Sequence, residues 1–244
     1  MRDLSKTRTD FEHKHKTDAE PWDYSTQAAE GLRHDWVVAQ VGRYVKSGKL
    51  VLDAGCSLGQ LIAHLVGVGL NVCAIDLSAT AVRKTQDRLA RISLRQGQFA
   101  PVVKLGDARA LRFPEASFAV VLCCDGFEGW ELSAEDRMVA LNEVSRVLVP
   151  GGIAILTDYL HPRRFAQYVE SIRTGPLAVS EVHYFHDRLW FQTNTNFKFL
   201  RKVAWGRRFL GSKKAARAMA KISSLFGPAG SKHLALILIK DAAA

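Results

Sequence analysis

The chain has 244 residues, of which 48% are hydrophobic and 24% are charged, and its formal net charge is +10. This length and hydrophobic content suit one folded domain with its own core and exclude both a disordered chain and a small disulfide scaffold. The four cysteines form no C-x-x-C pair, so we expect reduced thiols and no metal site. No run approaches the roughly 20 apolar residues of a membrane span. Residues 1–20 also lack the apolar core of a signal peptide, so we expect a cytoplasmic protein.

The first 20 residues are dominated by charged and polar side chains. Such a segment cannot bury enough apolar surface to order itself, so we expect residues 1–20 to be flexible until a substrate or partner holds them. Residues 21–244 are expected to form a single domain. Trp22 and Tyr24 fit two interpretations, a lid over a ligand or a packing contact for a helix over 31–45.

Short apolar runs alternate with helical patterns along the chain, which predicts an α/β fold with helices on both faces of a mostly parallel sheet. The predicted strands are 50–54, 71–75, 102–105, 118–123, 153–157, 197–204 and 233–239. The predicted helices include one that begins near Gln60, one over 79–89 capped by Ser78, one over 133–148 capped by Ser133, and one over 162–173. Ligands of such sheets bind at the carboxyl ends of the strands.

The run from Val51 to Gly59 turns from an apolar strand into a loop of small residues ahead of a helix. Such a loop directs backbone N–H groups and the positive end of the helix dipole towards the polar part of a ligand. The small residues stand at 55, 57 and 59, whereas dinucleotide folds that serve hydride transfer have the spacing G-x-G-x-x-G. The loop therefore predicts a nucleotide-type cofactor of another kind.

The spacing Asp53-x-Gly55-x-Ser57-x-Gly59 resembles the first motif of class I S-adenosylmethionine-dependent methyltransferases, with Ser57 in place of the middle glycine. The turn Leu148-Val149-Pro150-Gly151-Gly152 is similar to the connection that this family makes into its fifth strand. The resemblance covers roughly residues 30–160. It implies a doubly wound, mostly parallel seven-stranded sheet, the Rossmann-like methyltransferase fold, with S-adenosylmethionine as cofactor.

Acidic residues follow the second and third predicted strands. Asp76 comes about 20 residues after the loop, the separation at which a carboxylate accepts hydrogen bonds from ribose hydroxyls. The resemblance implies that Asp107, with Ala108, lies beside the adenine. It also places the methionine end of the cofactor on the loop. The full predicted set of cofactor residues is Asp53, Gly55, Ser57, Gly59, Asp76, Leu77, Asp107, Ala108, Cys124 and Asp125.

The methyl acceptor is harder to read from the sequence. Many members of the family that act on small molecules carry an L-E-H motif after strand 4, whereas this chain has Phe127-Glu128-Gly129. An oxygen acceptor needs a base, and an unperturbed histidine suits proton abstraction near neutral pH. We predict His183 as that base, with packing against the following helix as the alternative. O-methylation of a small-molecule or lipid-like acceptor is the predicted activity.

Residues 160–230 are expected to bear on the acceptor, and 201–221 carry a cluster of lysines and arginines without an acidic residue. A helix over 212–226 would place Lys213, Arg217 and Lys221 on one face and apolar residues on the other. Three interpretations stay open: a solvated face, a contact with anionic membrane that makes the protein peripheral, and a contact with RNA. The alternatives to a small-molecule enzyme are thus a non-catalytic cofactor-binding module or an RNA methyltransferase. Nucleic acid is disfavoured because the N-P-P-[YFW] type of motif is absent after strand 4.

Overall fold

A seven-stranded sheet runs through the centre of the computed structural model, which describes residues 5–22, 27–45, 48–127 and 132–242. The strands are β1 (Leu50–Ala54), β2 (Asn71–Asp76), β3 (Val102–Leu105), β4 (Phe118–Cys124), β5 (Leu148–Tyr159), β6 (Ala178–Tyr184) and β7 (His233–Ile239). The helices are α1 (Ser5–Thr17), α2 (Ala28–Tyr44), α3 (Gln60–Gly67), α4 (Ala79–Leu89), α5 (Ala134–Val147), α6 (Phe165–Arg173), α7 (Arg188–Asn196), α8 (Ala204–Leu210) and α9 (Lys213–Ser223). Short 3-10 turns lie at 162–164, 198–201 and 224–230.

The strand order is β3-β2-β1-β4-β5-β7-β6. Strands β1 to β5 pair in parallel, and β7 is antiparallel to both of its neighbours. The order reverses between β1 and β4, and doubly wound sheets bind ligands at such a switch point. The predicted doubly wound fold is confirmed.

Alternating side chains of the central strands fill a separate apolar layer on each face of the sheet. Leu52 and Val121 pack on one face with residues of α5 and α6. Val51 and Val120, their immediate neighbours in the chain, pack on the other face with residues of α2 and α3. Both layers are almost entirely buried, which is why these strands are continuous apolar runs.

Two helix starts follow from local sequence. The Ser78 hydroxyl accepts the backbone N–H of Ala81 at the start of α4, and the Ser133 hydroxyl accepts that of Asp136 at the start of α5. These side chains satisfy donors that have no partner inside the helix. Both predicted caps are confirmed.

The sixth strand differs from the prediction. The strand expected over 197–204 is instead a 3-10 turn followed by the start of α8, and β6 is Ala178–Tyr184. Phe197 and Phe199 stand exposed, so one face of this run would have no packing partner as a strand. The prediction for this stretch was wrong, because Ala178–Tyr184 takes the place beside β7 that the predicted strand would need.

The N-terminal segment also differs from the expectation of a chain without order of its own. Residues Ser5–Thr17 form α1, which contacts α4. The carboxylate of Glu12 accepts hydrogen bonds from the Ser78 hydroxyl and from the backbone N–H and hydroxyl of Thr80. Polar contacts to the start of α4 thus hold a helix that buries little apolar surface.

No helix among the described residues is long and apolar enough to cross a membrane.

Candidate functional site

A cavity of about 390 Å³ lies at the carboxyl ends of the parallel strands. It extends from the loop after β1 to the side chains that follow β5, and α1 covers part of it. Its volume is in the range of small-molecule sites. Eight of the ten predicted cofactor residues line it: Gly55, Ser57, Asp76, Leu77, Asp107, Ala108, Cys124 and Asp125.

The loop after β1 is shaped by residues with positive φ. Gly55 has φ of 104°, Ser57 of 47° and Gly59 of 73°. A Cβ on Gly55 would meet no atom within 4 Å, whereas one on Gly59 would lie 2.6 Å from Thr85 Cγ2. Gly55 therefore leaves open space for a ligand against the backbone, and Gly59 is required by packing against α4. Gly59 is not among the described residues that line the cavity.

Asp76 ends β2 and is almost completely buried. Its two carboxylate oxygens accept the backbone N–H groups of Ser57, at 2.8 Å, and Ser78, at 2.9 Å. Burial raises the pKa of Asp76, and these two hydrogen bonds oppose that rise. Each oxygen keeps a second lone pair that can accept a hydrogen bond from a ligand hydroxyl. Asp76 can therefore bind a ligand in the cavity while it anchors the loop.

Asp53 lies behind the loop, away from the described lining of the main cavity. It is buried in β1 and borders a small pocket together with Gly55, Cys56 and Arg33. Burial, with a smaller effect from Asp76, raises the pKa of Asp53 to about 7. Asp53 is therefore positioned to support the loop from behind.

Asp107 follows β3, and its carboxylate faces the cavity edge next to Ala108. The Arg109 guanidinium donates to Asp107 at 2.8 Å and to the buried Asp136 at 2.9 Å. Hydrogen bonding to Asp107 raises the pKa of Arg109 further. The cation fixes the orientation of the Asp107 carboxylate and ties the tip of β3 to α5.

An ion-pair network occupies the other end of the cavity. Arg33, on α2, is buried and donates to Glu30, Asp125 and the hydroxyl of Thr157. His233 lies beside these carboxylates, with its Nε2 3.7 Å from Glu30 Oε1 and 3.8 Å from Asp125 Oδ1. The network brings charged side chains of three separate segments, and one hydroxyl of a fourth, to one point.

Glu30, Asp125 and His233 also have the composition of a metal site, the one such group in the described ranges. Their donor atoms lie within 4.8 Å of one another. However, Arg33 Nη2 lies 2.5 Å from both Glu30 Oε2 and Asp125 Oδ2. A guanidinium thus already supplies the positive charge that these carboxylates need, and we interpret the group as an ion-pair network.

The walls of this second end are aromatic. Tyr159, at the end of β5, and Phe191, on α7, both pack against the His233 ring, with centroids 5.0 and 5.2 Å away. Phe11 and Trp22 line the side that α1 covers. Trp22 therefore occupies the position expected of a lid, while Tyr24 lies outside the described residues. These rings make this end of the cavity apolar.

The sequence prediction of a base at His183 does not agree with the structure. His183 lies on β6 with its ring stacked on Trp36, with the centroids 4.7 Å apart. It is not among the described residues that line the cavity, and burial lowers its pKa. Its ring packs against α2, whereas the alternative predicted from the sequence was packing against the following helix. Of the segment that replaces the L-E-H motif, Phe127 lines the cavity, and 128–131 lie outside the described residues.

Four residues at this end were not predicted from the sequence: Glu30, Arg33, Asp187 and His233. One signal was available for His233, because it is the single polar residue in an otherwise apolar strand. Since β7 runs antiparallel to β5, its first residue lies opposite Tyr159, at the edge where the parallel strands end. Without the direction of β7, the sequence gives no reason to place His233 at that edge.

Comparison with known proteins adds independent information. Residues 52–156 match the family described as a methyltransferase domain. The probable methyltransferase PMT5 of Arabidopsis thaliana is 35% identical over 139 residues, which are 56% of this chain and 20% of that protein. The 2-methyl-6-phytyl-1,4-hydroquinone methyltransferase of Synechocystis sp. is 32% identical over 117 residues, 46% of this chain and 32% of that protein. The chain thus spans less than a third of these relatives.

The fold has solved counterparts. The N-methyltransferase NodS of Bradyrhizobium japonicum, in complex with S-adenosyl-L-homocysteine, superposes with a TM-score of 0.65 at 14% identity, covering 96% of this chain and 98% of that one. The match at this identity concerns the fold. Together with the loop at the switch point of the sheet, the matched domain and the shared fold support the resemblance of this chain to the class I S-adenosylmethionine-dependent methyltransferases.

Proposed function

We propose that this chain transfers the methyl group of S-adenosylmethionine to an oxygen of a small molecule that has an apolar body. One observation carries the proposal: a single cavity has backbone and carboxylates at one end and aromatic rings with a histidine at the other. A polar nucleoside suits the first end and an apolar acceptor suits the second. The two ends share one space, as a direct transfer between two bound molecules requires.

The proposed cofactor position follows from the first end of the cavity. The methionine part lies against the open backbone at Gly55 and Ser57, and the ribose hydroxyls donate to Asp76. The adenine lies between Leu77 and Ala108, with its amino group near Asp107. This arrangement directs the sulfonium towards Asp125, at the border between the two ends.

The proposed acceptor position lies between Tyr159, Phe191 and Phe127. Methyl transfer from a sulfonium is an in-line displacement, so the protein must align the acceptor atom and exclude water. Aromatic walls do both for a flat or chain-like apolar molecule. The Synechocystis relative is named for a hydroquinone with a phytyl chain, which is an acceptor of this shape.

An anionic lipid surface is the proposed source of a lipid-like acceptor. Exposed apolar side chains stand on α8 and on the turns around α9, with Trp205 64%, Leu225 82% and Phe226 69% exposed. We call this the basic-aromatic surface; its apolar members are Phe197, Phe199, Trp205, Leu225 and Phe226, and its exposed basic members are Lys202, Arg207, Arg208, Lys214, Arg217 and Lys221. No acidic residue occurs between 188 and 240.

The mixture of side chains favours lipid over RNA as the partner of the basic-aromatic surface. Aliphatic Leu225 offers no stacking platform for a base, whereas exposed apolar side chains in a segment rich in exposed cations suit the boundary of an anionic membrane. Helix α7 connects this surface to the cavity, because Phe191 on the helix lines the cavity and the exposed Phe197 directly follows its last residue, about 9 Å away along the helix axis. An acceptor taken from the membrane therefore has a short way to the site.

Label transfer tests the proposed activity. The protein is incubated with methyl-labelled S-adenosylmethionine and a cell extract, which is then separated into lipid, small-molecule, protein and RNA pools. We expect label in the lipid or small-molecule pool. If the product is a methyl ether, the label should survive treatment that hydrolyses methyl esters. Label only in RNA or protein, or no label in any pool, would defeat the proposal.

Vesicle sedimentation tests the lipid surface. The substitutions Lys214→Glu, Arg217→Glu and Lys221→Glu together are expected to abolish binding to vesicles that contain phosphatidylserine. Lys213 is left unchanged because it pairs with Asp35. In the matched control, Arg83, Arg91 and Lys104 are replaced by glutamate. These three residues are exposed near the opposite edge of the sheet. Equal loss of binding in both triple variants would mean that vesicle binding depends on the net charge of the protein and not on the basic-aromatic surface, which would contradict the proposal.

A further inference from the structure

His233 and Asp187 form a buried pair at the acceptor end of the cavity. The Nδ1 atom of His233 lies 2.5 Å from Asp187 Oδ2. The other oxygen of Asp187 accepts the backbone N–H groups of Lys232, at 2.7 Å, and His233, at 3.2 Å. The carboxylate is therefore anchored to the strand whose histidine it orients, and it fixes which ring nitrogen carries the hydrogen on its side.

The opposite nitrogen of His233 faces the cavity. Its contacts with Glu30 and Asp125, at 3.7 and 3.8 Å, are longer than hydrogen bonds. The rings of Tyr159 and Phe191 pack against the His233 ring. All four of these neighbours line the same cavity. The Nε2 atom is thus oriented towards the space in which the acceptor is proposed to bind.

The charges around the ring favour its protonated form. Burial alone would lower the pKa of His233, but the carboxylates of Asp187 and Glu30 raise it above its ordinary value. The other ionisable groups that face the ring are Asp125, Arg33 and the phenol of Tyr159. Three carboxylates and one guanidinium therefore surround an imidazole that can accept a proton inside the protein.

We propose that His233 is the general base of the methyl transfer and that Asp187 is its positioning residue. The inference rests on the proposed function. The acceptor oxygen forms a bond to the methyl carbon while the carbon–sulfur bond breaks and its electron pair passes to sulfur. The proton of the acceptor hydroxyl passes to Nε2 of His233, and Nδ1–H continues to donate to Asp187.

This assignment accounts for the electrostatics of the reaction. Methyl transfer removes the positive charge of the sulfonium, and the proton transfer creates one on the imidazole a short distance away. The carboxylates of Asp187, Glu30 and Asp125 stabilise the imidazolium, and Arg33 keeps two of them in place. Glu30 and Asp125 are themselves weaker candidates for the base, because the guanidinium already binds both.

Kinetic measurements on variants test the assignment. The activity is the rate at which labelled methyl groups enter the pool of the cell extract that accepts label from the wild type, and S-adenosyl-L-homocysteine is the probe for binding. We expect His233→Asn to lower turnover by about 10²- to 10⁴-fold and to leave the affinity for the probe within about twofold. Wild-type turnover should rise with pH through the raised pKa of His233, and Asp187→Asn should move that rise to lower pH. His183→Asn, which alters a histidine that stacks on Trp36, is the matched control and should retain turnover.

The outcomes separate this inference from the proposed function. A wild-type protein that labels no pool defeats the proposed function, and this inference with it. Turnover that survives His233→Asn defeats the inference alone. So does a requirement for a divalent cation, shown by loss of turnover in chelator and recovery with Mg²⁺.

If His233→Asn does not fold, nuclear magnetic resonance of the wild type tests the assignment instead. The measurement is the pH titration and the tautomer of the His233 ring with S-adenosyl-L-homocysteine bound. The His233 ring should titrate above the ordinary histidine pKa and keep its hydrogen on Nδ1 in the neutral form. Titration at or below the ordinary value, or a neutral form that carries the hydrogen on Nε2, overturns the assignment.

Discussion

The two ends of the cavity are built in different ways. The end around Gly55, Asp76 and Asp107 consists of the tips of three adjacent parallel strands, and backbone groups make much of its surface. The end around His233 consists of side chains from α2, α7, β7 and the ends of β4 and β5, and buried ion pairs connect α2 and β7 with Asp125 and Asp187. The first end is held by chain geometry and the second by long-range electrostatics.

This difference determines how each end responds to change. A backbone site loses its shape when a residue at a special φ is replaced, because no neighbouring side chain can compensate. A charged network fails when one partner is removed, since the remaining charges stay buried without compensation. Substitutions at the two ends therefore test the comparison directly.

The largest effect is expected from Arg33→Met at the acceptor end. The guanidinium pairs with Glu30 and Asp125 and is almost fully buried. Its removal should lower the free energy of unfolding by about 3 to 5 kcal/mol, because two buried carboxylates lose their counterion. Urea denaturation measures the change. Arg43→Met on the exposed side of the same helix is the control, with an expected change below about 0.5 kcal/mol. Equal effects of the two variants would show that the network does not hold the acceptor end.

Gly59→Ala should have the next largest effect, at the cofactor end. The new Cβ would lie 2.6 Å from Thr85 Cγ2 on a backbone with φ of 73°. We expect a loss of about 2 to 4 kcal/mol in the free energy of unfolding, from strain and overpacking together. Gly67→Ala, at the end of the same helix, meets no atom within 4 Å and has no positive φ. That control should be neutral or slightly stabilising in the same denaturation experiment, and a neutral Gly59→Ala would contradict the backbone account.

The same contrast explains what the sequence could predict. Strands β1 and β3 have the predicted bounds, and Asp76 and Asp107 stand at the predicted strand ends, because each depends on a few neighbouring residues. His233 and Arg33 meet only through the pairing of β7 with β5 and the packing of α2 on the sheet, which no local pattern specifies. The misplaced sixth strand has the same cause, since Ala178–Tyr184 becomes a strand by pairing with β7. Helix α1 was missed because polar contacts, such as those of Glu12, order it without apolar burial.

Asp76→Ala changes a side chain within the end that is built mainly from backbone. We expect the affinity for S-adenosyl-L-homocysteine to fall by about 1 to 3 kcal/mol, or about 5- to 150-fold, because the ribose hydroxyls lose an ionised acceptor and Ser57 loses its anchor. Isothermal titration calorimetry measures the change. Asp87→Ala on the exposed side of α4 is the control and should bind as the wild type does. An unchanged affinity for Asp76→Ala would remove this carboxylate from the cofactor site.

Glu12→Ala is expected to have the smallest effect, because it acts on α1, the element that covers both ends from outside. Hydrogen bonds from Ser78 and Thr80 lower the pKa of Glu12 from 4.5 to about 2. The carboxylate therefore stabilises the fold fully above pH 4.5, and this contribution is lost as the pH falls towards 2. We expect a cost of about 1 kcal/mol at pH 7 and a difference from the wild type that disappears near pH 2 in thermal melts.

Asp10→Ala, on the same helix and exposed, is the control for Glu12→Ala and should show no such pH dependence. Phe11 and His15 on α1 line the cavity, and His15 Nε2 lies 3.1 Å from the Ser57 hydroxyl. Release of α1 should therefore also weaken binding of S-adenosyl-L-homocysteine severalfold. A Glu12→Ala protein that is less stable but binds the ligand as the wild type does would mean that α1 contributes to the fold and not to the site, and that the two ends of the cavity act without a common cover.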